Sequence, residues 1–315
     1  MAQPTNTFST NDMAGIREDL SDIIYDVSPT DTPFLSMAGR AEATNTYHEW
    51  QVDSLAAAAT NYVIEGDDAT TDAGVSTTRR GNYTNISDKV ARVTGTARAV
   101  NTAGRADEMD YQVLKRAKEL KRDMEKVLLD NNARVSGDDT TARECAGAPA
   151  WLFTNTDFGA GGADGAGDGT TARTDGTQRA FTEDQVKTVM QLCWEEGGMP
   201  DTLMVGSFNR QVASSFTAGK SGFQKAEDST LHATYDVYES DFGQLKMIPN
   251  RFMRSRDALI LQMDMWKVAF MPGRNMVTTD LAKTGDTDRK QILAEYTLEA
   301  SNEKANGGVF DLTTS

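Results

Sequence analysis

The most regular pattern of apolar and polar positions in the chain lies in residues 107–131. Apolar residues recur there every three or four positions, the spacing that places side chains on one face of an α-helix. The stripe consists of Val113, Leu114, Ala117, Leu120, Met124, Val127 and Leu128. The opposite face carries Lys115, Lys118, Glu119, Lys121, Arg122, Glu125 and Lys126. The pattern predicts one long helix with a solvated charged face. The side chains expected in its core are Val113, Leu120, Met124 and Val127.

A second helical stripe occupies residues 16–27 and ends at Ser28-Pro29, since proline disfavours continuation of a helix. Its apolar members are Ile16, Leu20, Ile23, Ile24 and Val27. The turn sequence Thr30-Asp31-Thr32-Pro33 follows, and then the apolar pair Phe34-Leu35. We predict an irregular N-terminal arm with one short amphipathic helix and an apolar anchor.

Residues 48–80 alternate like strands but contain too few apolar residues for a core of their own. Trp50 and Val52 alternate with polar residues, as do Tyr62 and Ile64, and Glu65-Gly66-Asp67-Asp68 makes an acidic turn. The pattern predicts two strands joined by a polar tip. Because an isolated two-stranded ribbon is marginally stable, we expect its apolar side chains to need a surface that the same subunit does not supply.

The remaining patterns predict a mixed helical and strand region. The glycine- and aspartate-rich tract 157–177 is typical of an exposed, mobile loop. Residues 182–271 alternate between helical and strand patterns, which indicates a compact α+β unit. Residues 292–298 alternate as a strand, and the turn sequence Asn306-Gly307-Gly308 precedes Val309-Phe310, so we expect a C-terminal hairpin.

The charge of the chain limits its partners. The 315 residues include 32 basic and 47 acidic side chains, which gives a net charge of −15. Such a chain does not bind nucleic acid by neutralising phosphates, but it suits a protein that encloses nucleic acid without adhering to it. No apolar run of about 18 residues and no secretion signal is present, so we expect no membrane contact. Cys145 and Cys193 form no CxxC pair and are expected to be buried thiols in a reducing compartment.

Candidate catalytic and ligand-binding motifs fail on their spacing. Gly219-Lys220-Ser221 resembles the end of a phosphate-binding loop, but Ser214 stands where that loop needs a glycine. His48 and His232 lie far from each other and from the cysteines, so a zinc site is not expected. No strand pattern is followed by G-x-S-x-G. We therefore expect no cofactor, no metal and no enzymatic activity.

The order of these elements and the amino-acid sequences of several stretches resemble one known family. The order is an arm with a helix, a ribbon, a long helix, an α+β unit and returning strands. The similar stretches are residues 17–25, 29–34, 48–55, 65–69, 236–238, 245–253, 281–286 and 295–305. They are similar to the tailed-bacteriophage major capsid proteins, which have the α+β Hong Kong 97-type fold. The resemblance covers nearly the whole chain.

The resemblance implies a division of the chain and a set of contacts between subunits. The divisions are an N-terminal arm (1–46), an extended loop (47–81), a peripheral domain with the spine helix (82–148), an axial domain (149–279) and returning strands of the peripheral domain (280–315). The contacts expected from the extended loop are Trp50, Val52, Tyr62, Ile64, Glu65, Asp67, Asp68, Arg79 and Arg80. Those expected from the arm are Phe8, Arg17, Phe34 and Leu35.

The resemblance also implies a function: self-assembly of pentamers and hexamers into an icosahedral head that encloses double-stranded DNA. The head would assemble in the host cytoplasm, with the virion as the final location. Its partners would be other copies of the chain, separate scaffolding and portal proteins, an optional decoration protein, and DNA held without sequence-specific contacts. The alternatives are a non-viral encapsulating shell of the same fold, and a soluble acidic hydrolase with residues 157–177 as a lid.

In some members of that family, a lysine of the extended loop forms a covalent cross-link with an asparagine of a neighbouring subunit. Residues 48–80 of this chain contain no lysine. Arginine stays protonated and cannot replace it as a nucleophile. We therefore expect shells held by noncovalent contacts.

Overall fold

The structure is a computed structural model that describes residues 31–68, 74, 76–100, 107–216 and 237–315. The helix predicted for residues 16–27 lies outside the described residues, as do Phe8, Arg17, Gly219-Lys220-Ser221 and His232. The α-helices are α1 (Pro33–Met37), α2 (Gly95–Ala99), α3 (Glu108–Leu129), α4 (Glu183–Glu195) and α5 (Ser207–Ala213). The strands are β1 (Gly39–Glu42), β2 (Tyr47–Val52), β3 (Thr78–Tyr83), β4 (Asn85–Thr94), β5 (Thr156–Asp157), β6 (Thr202–Val205), β7 (Val237–Ser240), β8 (Gly243–Pro249), β9 (Ala258–Leu261), β10 (Trp266–Phe270), β11 (Val277–Leu281), β12 (Thr287–Ala300) and β13 (Gly307–Val309).

The long helix α3 confirms the strongest prediction from the sequence. Asp107 caps it, because its Oδ1 accepts a hydrogen bond of 2.7 Å from the Met109 N–H. Leu120 and Met124 are fully buried, as predicted, whereas Val113 and Val127 are half-buried at the edge of the same core. The assignment of Glu125 to the solvated face is wrong, since this carboxylate is buried.

The first sheet forms around the long strand β12 and carries α3 on one face. One edge of β12 pairs antiparallel with β10 and then with β11, and its other edge pairs antiparallel with β4. β1 extends the sheet by pairing parallel with β10. Residues 39–42 of the expected arm therefore belong to a sheet of their own chain.

The second sheet has the order β5-β13-β9-β6-β8-β7, within the part of the chain that is described. α4 packs against it and begins at the expected capping box, where Gln185 Oε1 accepts a hydrogen bond of 2.9 Å from the Thr182 N–H. The core beneath α4 includes Val189, Cys193 and Ile260.

Two strands cross between the sheets in a way that contradicts the expected C-terminal hairpin. β13 does not pair with β12, but lies between β5 and β9 in the second sheet. β10 lies within the expected axial domain, but it pairs in the first sheet. The boundary expected at residue 279 therefore does not separate the two sheets.

The tract 157–177 is packed against the body of the protein, contrary to the expectation of an exposed, mobile loop. Asp311 Oδ2 accepts a hydrogen bond of 3.1 Å from the Gly159 N–H, and its Oδ1 accepts one of 2.9 Å from the Gly176 N–H. Arg173 is only 4% exposed, and its guanidinium carbon lies 3.4 Å from the centroid of the Phe310 ring. The glycines serve close packing here, because a Cβ at Gly159 would lie 2.0 Å from a backbone oxygen.

Candidate intersubunit surface

The ribbon formed by β2 and β3 leaves the body as an antiparallel pair, in register from Tyr47–Tyr83 to Val52–Thr78. The prediction of a strand at Trp50 and Val52 is confirmed. The expected second strand at Tyr62 and Ile64 is wrong, because the partner of β2 begins only at Thr78.

Polar side chains fix the base of the ribbon to the first sheet. Asn82 is fully buried, and its Nδ2 donates a hydrogen bond of 2.8 Å to the Leu298 carbonyl. Its Oδ1 accepts one of 2.9 Å from the Ala146 N–H. The amide of Asn82 therefore ties β3 both to β12 and to the segment that follows α3, and a buried amide satisfied in this way specifies one position for the ribbon.

Trp50 packs against the core of its own chain, with its ring centroid 5.2 Å from that of Trp151. The expectation that Trp50 needs a surface from another subunit is therefore wrong. Val52 is half-buried and lines a cleft of about 470 Å³ between the ribbon and the body, together with Arg80 and Trp151.

The Glu299 carboxylate also holds the base of the ribbon to the first sheet. His48 Nε2 and Lys267 Nζ each lie 3.0 Å from an oxygen of the Glu299 carboxylate. Burial by itself would raise the pKa of Glu299, but the hydrogen bonds from His48 and Lys267 and the charge of Lys267 lower it to about 2. Glu299 is therefore ionised at neutral pH and binds both β2 and β10.

Beyond this base, residues 53–68 carry large apolar side chains that nothing in the described chain covers. Leu55 is 98% exposed, Tyr62 93%, and Ile64 79%, and the neighbouring Val63 is also exposed. The acidic turn lies directly beside them, where the Asp67 N–H donates to the Ile64 carbonyl. We call residues 53–68 the ribbon tip. Such a cluster on an extended segment is typical of a protein-protein contact.

The charged residues expected in subunit contacts lie on the ribbon and on its tip. Glu65, Asp67 and Asp68 are exposed on the tip. Arg79 lies on β3 and forms a surface ion pair of 2.5 Å with Glu49 of β2. Arg79 is thus already paired with Glu49 within the ribbon. A partner that separated these two side chains would lose the free energy of that ion pair.

The arm residues Phe34 and Leu35 are buried in the core of their own chain, which corrects their assignment as subunit contacts. Phe34 is 0% and Leu35 5% exposed, and the Phe34 ring packs edge-on against Trp266 with centroids 6.0 Å apart. Both backbone N–H groups donate to the Glu125 carboxylate, each at 2.8 Å. The arm is therefore anchored to its own spine helix at this point.

Burial of Glu125 raises its pKa, and the hydrogen bonds from Leu35, Phe34 and Asn250 oppose that rise. Asn250 Nδ2 contributes a bond of 2.6 Å to Oε1. Reasoning from the sequence missed Glu125, because its partners Phe34, Leu35 and Asn250 are distant in sequence.

Among the described residues, no helix is long and apolar enough to cross a membrane, and no group of three or more His, Cys, Asp or Glu side chains could hold a metal ion. Cys145 and Cys193 are buried as expected, and burial raises the pKa of each thiol to about 12.

Comparison with known proteins gives one consistent result. A family model described as SU10 major capsid protein matches residues 3–313. The major capsid protein of Escherichia phage Phieco32 is 28% identical over 347 aligned positions, which cover 98% of each chain.

Solved structures with little sequence identity share the fold. A chain from Gordonia phage Cozz is 9% identical with a TM-score of 0.62, and the alignment covers 99% of this chain and 98% of that one. The capsid of a native GTA particle is 11% identical with a TM-score of 0.63, covering 96% and 98%. The chain thus has the Hong Kong 97-like capsid fold. Since the family model spans almost its full length, the chain belongs to the SU10 major capsid protein family, the structural proteins that build a phage head.

Proposed function

We propose that this chain assembles through its ribbon tip, each copy laying residues 53–68 against an adjacent copy to form the pentamers and hexamers of an icosahedral head. The observation that carries the proposal is the exposure of Leu55, Tyr62 and Ile64 on a segment that extends beyond a rigidly held base. Burying each such side chain against a partner contributes about 1.5–3 kcal/mol.

Another copy of the chain is the partner that the family indicates, because a major capsid protein forms its shell mainly from itself. The expected contacts at Glu65, Asp67, Asp68, Arg79 and Arg80 belong to this proposal as the polar rim around the apolar centre. Phe8 and Arg17 of the arm would contact a further neighbour. We keep the expected names for the parts of the chain: the extended loop (47–81), the peripheral domain (82–148 and 280–315) and the axial domain (149–279). Two strands depart from this division, because β10 pairs in the first sheet and β13 in the second.

The head would enclose double-stranded DNA without sequence-specific contacts, which the net charge of −15 favours. Separate scaffolding and portal proteins, with an optional decoration protein, would complete assembly in the host cytoplasm. These partners rest on the family resemblance alone.

The test is a triple variant, Leu55→Ser, Tyr62→Ser and Ile64→Ser, with Ala56→Ser, Ala58→Ser and Thr60→Ala as the matched control in the same segment. All these residues are exposed, so both variants should keep the circular dichroism and thermal unfolding of the parent chain. The triple variant should sediment as small species and give no regular shells in electron micrographs, whereas the control should assemble. Normal shells from the triple variant would exclude the ribbon tip as the assembly contact.

A further inference from the structure

A cluster of charged side chains joins the tract 157–177 to the body of the protein. Its members come from the tract, from the segment between β8 and β9, and from the segment that follows β13. The three arginines are Arg173, Arg254 and Arg256, and the four carboxylates are Asp164, Asp175, Asp257 and Asp311. We call these seven residues the charge cluster. With every group ionised, four negative charges face three positive ones.

The arginines on the body side of the cluster are shared between carboxylates. Arg254 pairs with Asp257 at 3.2 Å and also with Asp175. Arg256 pairs with Asp175 at 3.2 Å and with Asp311 at 2.7 Å. Arg254 therefore divides its charge between two carboxylates, and Asp257 receives only part of it.

Arg173, on the tract side, does not complete the pairing of Asp257. Its side chain is buried over the Phe310 ring, and its Nη2 lies 3.8 Å from Asp164 Oδ1, which is too long for a hydrogen bond. Within the described chain, its three guanidinium nitrogens accept no partner for their N–H groups, and Asp257 Oδ1 receives no hydrogen bond. Because buried ionised groups without hydrogen bonds are costly, the cluster is not stable with all seven members charged.

Asp257 is the member placed to hold the proton that removes this cost. It is 1% exposed, whereas Asp175 is partly open to solvent. Burial raises the pKa of Asp257 to about 6. The charges of Arg254 and Arg173 oppose that rise, and so does the charge of Arg256, whereas the nearby charge of Asp175 adds to it.

We propose that the tract 157–177 docks on the body together with one proton, which the charge cluster holds on Asp257, so that the tract is locked at mildly acidic pH and opens more readily above neutrality. The docked chain binds this proton more tightly than the opened chain, in which Asp257 regains its ordinary pKa of 3.8. The stabilisation is therefore complete below pH 3.8 and is lost as the pH rises through about 6. The inference does not rest on shell assembly.

Hydrogen exchange of the full, unassembled chain tests the proposal. Docking is reported by tract amides that bond to the body, such as the Arg173 N–H, which donates to Asn131 Oδ1 at 3.0 Å, and the Gly176 N–H, which donates to Asp311 Oδ1 at 2.9 Å. Rates are corrected for the intrinsic pH dependence of exchange. The tract of the parent chain should open about tenfold more at about pH 8 than at about pH 5, the ratio for one carboxyl whose pKa changes from 3.8 to about 6. Equal opening at the two pH values would overturn the proposal, and this readout needs no variant.

Asp257→Asn removes the titrating group while keeping its size. The variant should lose most of the pH dependence, and its tract should open less than that of the parent chain at about pH 8. Comparison with this variant also cancels the contribution of the histidines, which titrate in the same range. Asp168→Asn is the matched control, because Asp168 lies in the tract but bonds to Thr170 there, and it should keep the parent ratio. If Asp257→Asn instead opened more than the parent chain at about pH 8, ionised Asp257 would be holding the tract as an ion pair and the proposal would be wrong.

Discussion

Glu125, near the C-terminal end of the spine helix, accepts a hydrogen bond of 2.8 Å from the backbone N–H of Phe34, which lies 91 positions earlier in the chain. Its second oxygen accepts the Leu35 N–H, and Asn250 donates to the first. One carboxylate thus satisfies the free N–H groups at the start of α1, which has no side-chain cap of its own.

We expect Glu125→Gln to lower the free energy of unfolding by about 1–3 kcal/mol, because a glutamine amide can serve only part of three donors and leaves one of them unsatisfied. Glu119→Gln is the matched control on the same helix, since Glu119 forms a surface pair of 2.6 Å with Arg116. That control should cost less than about 1 kcal/mol. Urea unfolding of the unassembled subunit measures both, and equal losses would contradict the anchoring role of Glu125.

Leu120→Asp should prevent the subunit from folding, because it places a carboxylate without a partner at a position that is 0% exposed. The expected cost is several kcal/mol. Leu114→Asp, on the same helix at a position that is 59% exposed, should fold normally. Solubility and circular dichroism distinguish the two. A soluble, helical Leu120→Asp subunit would show that the stripe is not in the core.

Asp311→Ala should release the tract 157–177 from the body. The side chain of Asp311 accepts hydrogen bonds from Gly159 and Gly176 and pairs with Arg256 at 2.7 Å. Trypsin should then cut at Arg173 sooner than in the parent chain. Asp168→Ala is the control, because the hydrogen bonds of Asp168 go to Thr170 in the same tract. Unchanged cleavage of Asp311→Ala would mean that other contacts hold the tract.

Glu299 should contribute stability that depends on pH. Its pKa is about 2 in the folded chain against an ordinary value of 4.5, so ionised Glu299 stabilises the fold above pH 4.5. The contribution is lost as the pH falls from about 4.5 to about 2. The difference in unfolding free energy between the parent chain and Glu299→Gln should therefore shrink as the pH falls from about 4.5 towards 2, as measured by urea unfolding. A difference that does not change down to pH 3 would contradict the pairing with His48 and Lys267.

Purified shells boiled in detergent should release one band at the monomer mass of 34.3 kDa, since the sequence from 48 to 80 holds no lysine to attack a neighbouring amide. Lys89, the first lysine after that stretch, lies on β4 and pairs with Asp123 of α3 at 2.6 Å. A ladder of covalent multimers would overturn this expectation, and Lys89→Arg would then be the first variant to test.

The spine helix and the first strand of the ribbon were predictable because each rests on a local pattern. Leu120 and Met124 repeat at helical spacing, and Trp50 and Val52 alternate with polar neighbours. Glu125 was not predictable, because a carboxylate on a helix surface is usually solvated and its partners are distant in sequence.

Two other errors share a physical cause, which is that tertiary packing overrides local composition. Thr78-Arg79-Arg80-Gly81 forms most of β3 although it has no apolar alternation, whereas Tyr62 and Ile64 alternate and lie in no strand. Gly307 and Gly308 look like a turn, but a Cβ on either would lie 2.4 Å from a neighbouring side chain. Gly307 allows the strand to pass closely beneath Val189 of α4, and Gly308 makes room for the ring of Phe310.

The place of β13 between β5 and β9 also constrains how the protein can be made. A ribosome delivers β5 and β9 first, and the strand that joins them emerges after both. Until then a growing chain presents the open edge of β9, and several chains made from one message carry the same edge close together. Because unpaired edges pair readily with one another, the interval before β13 emerges is when this protein most needs protection by chaperones.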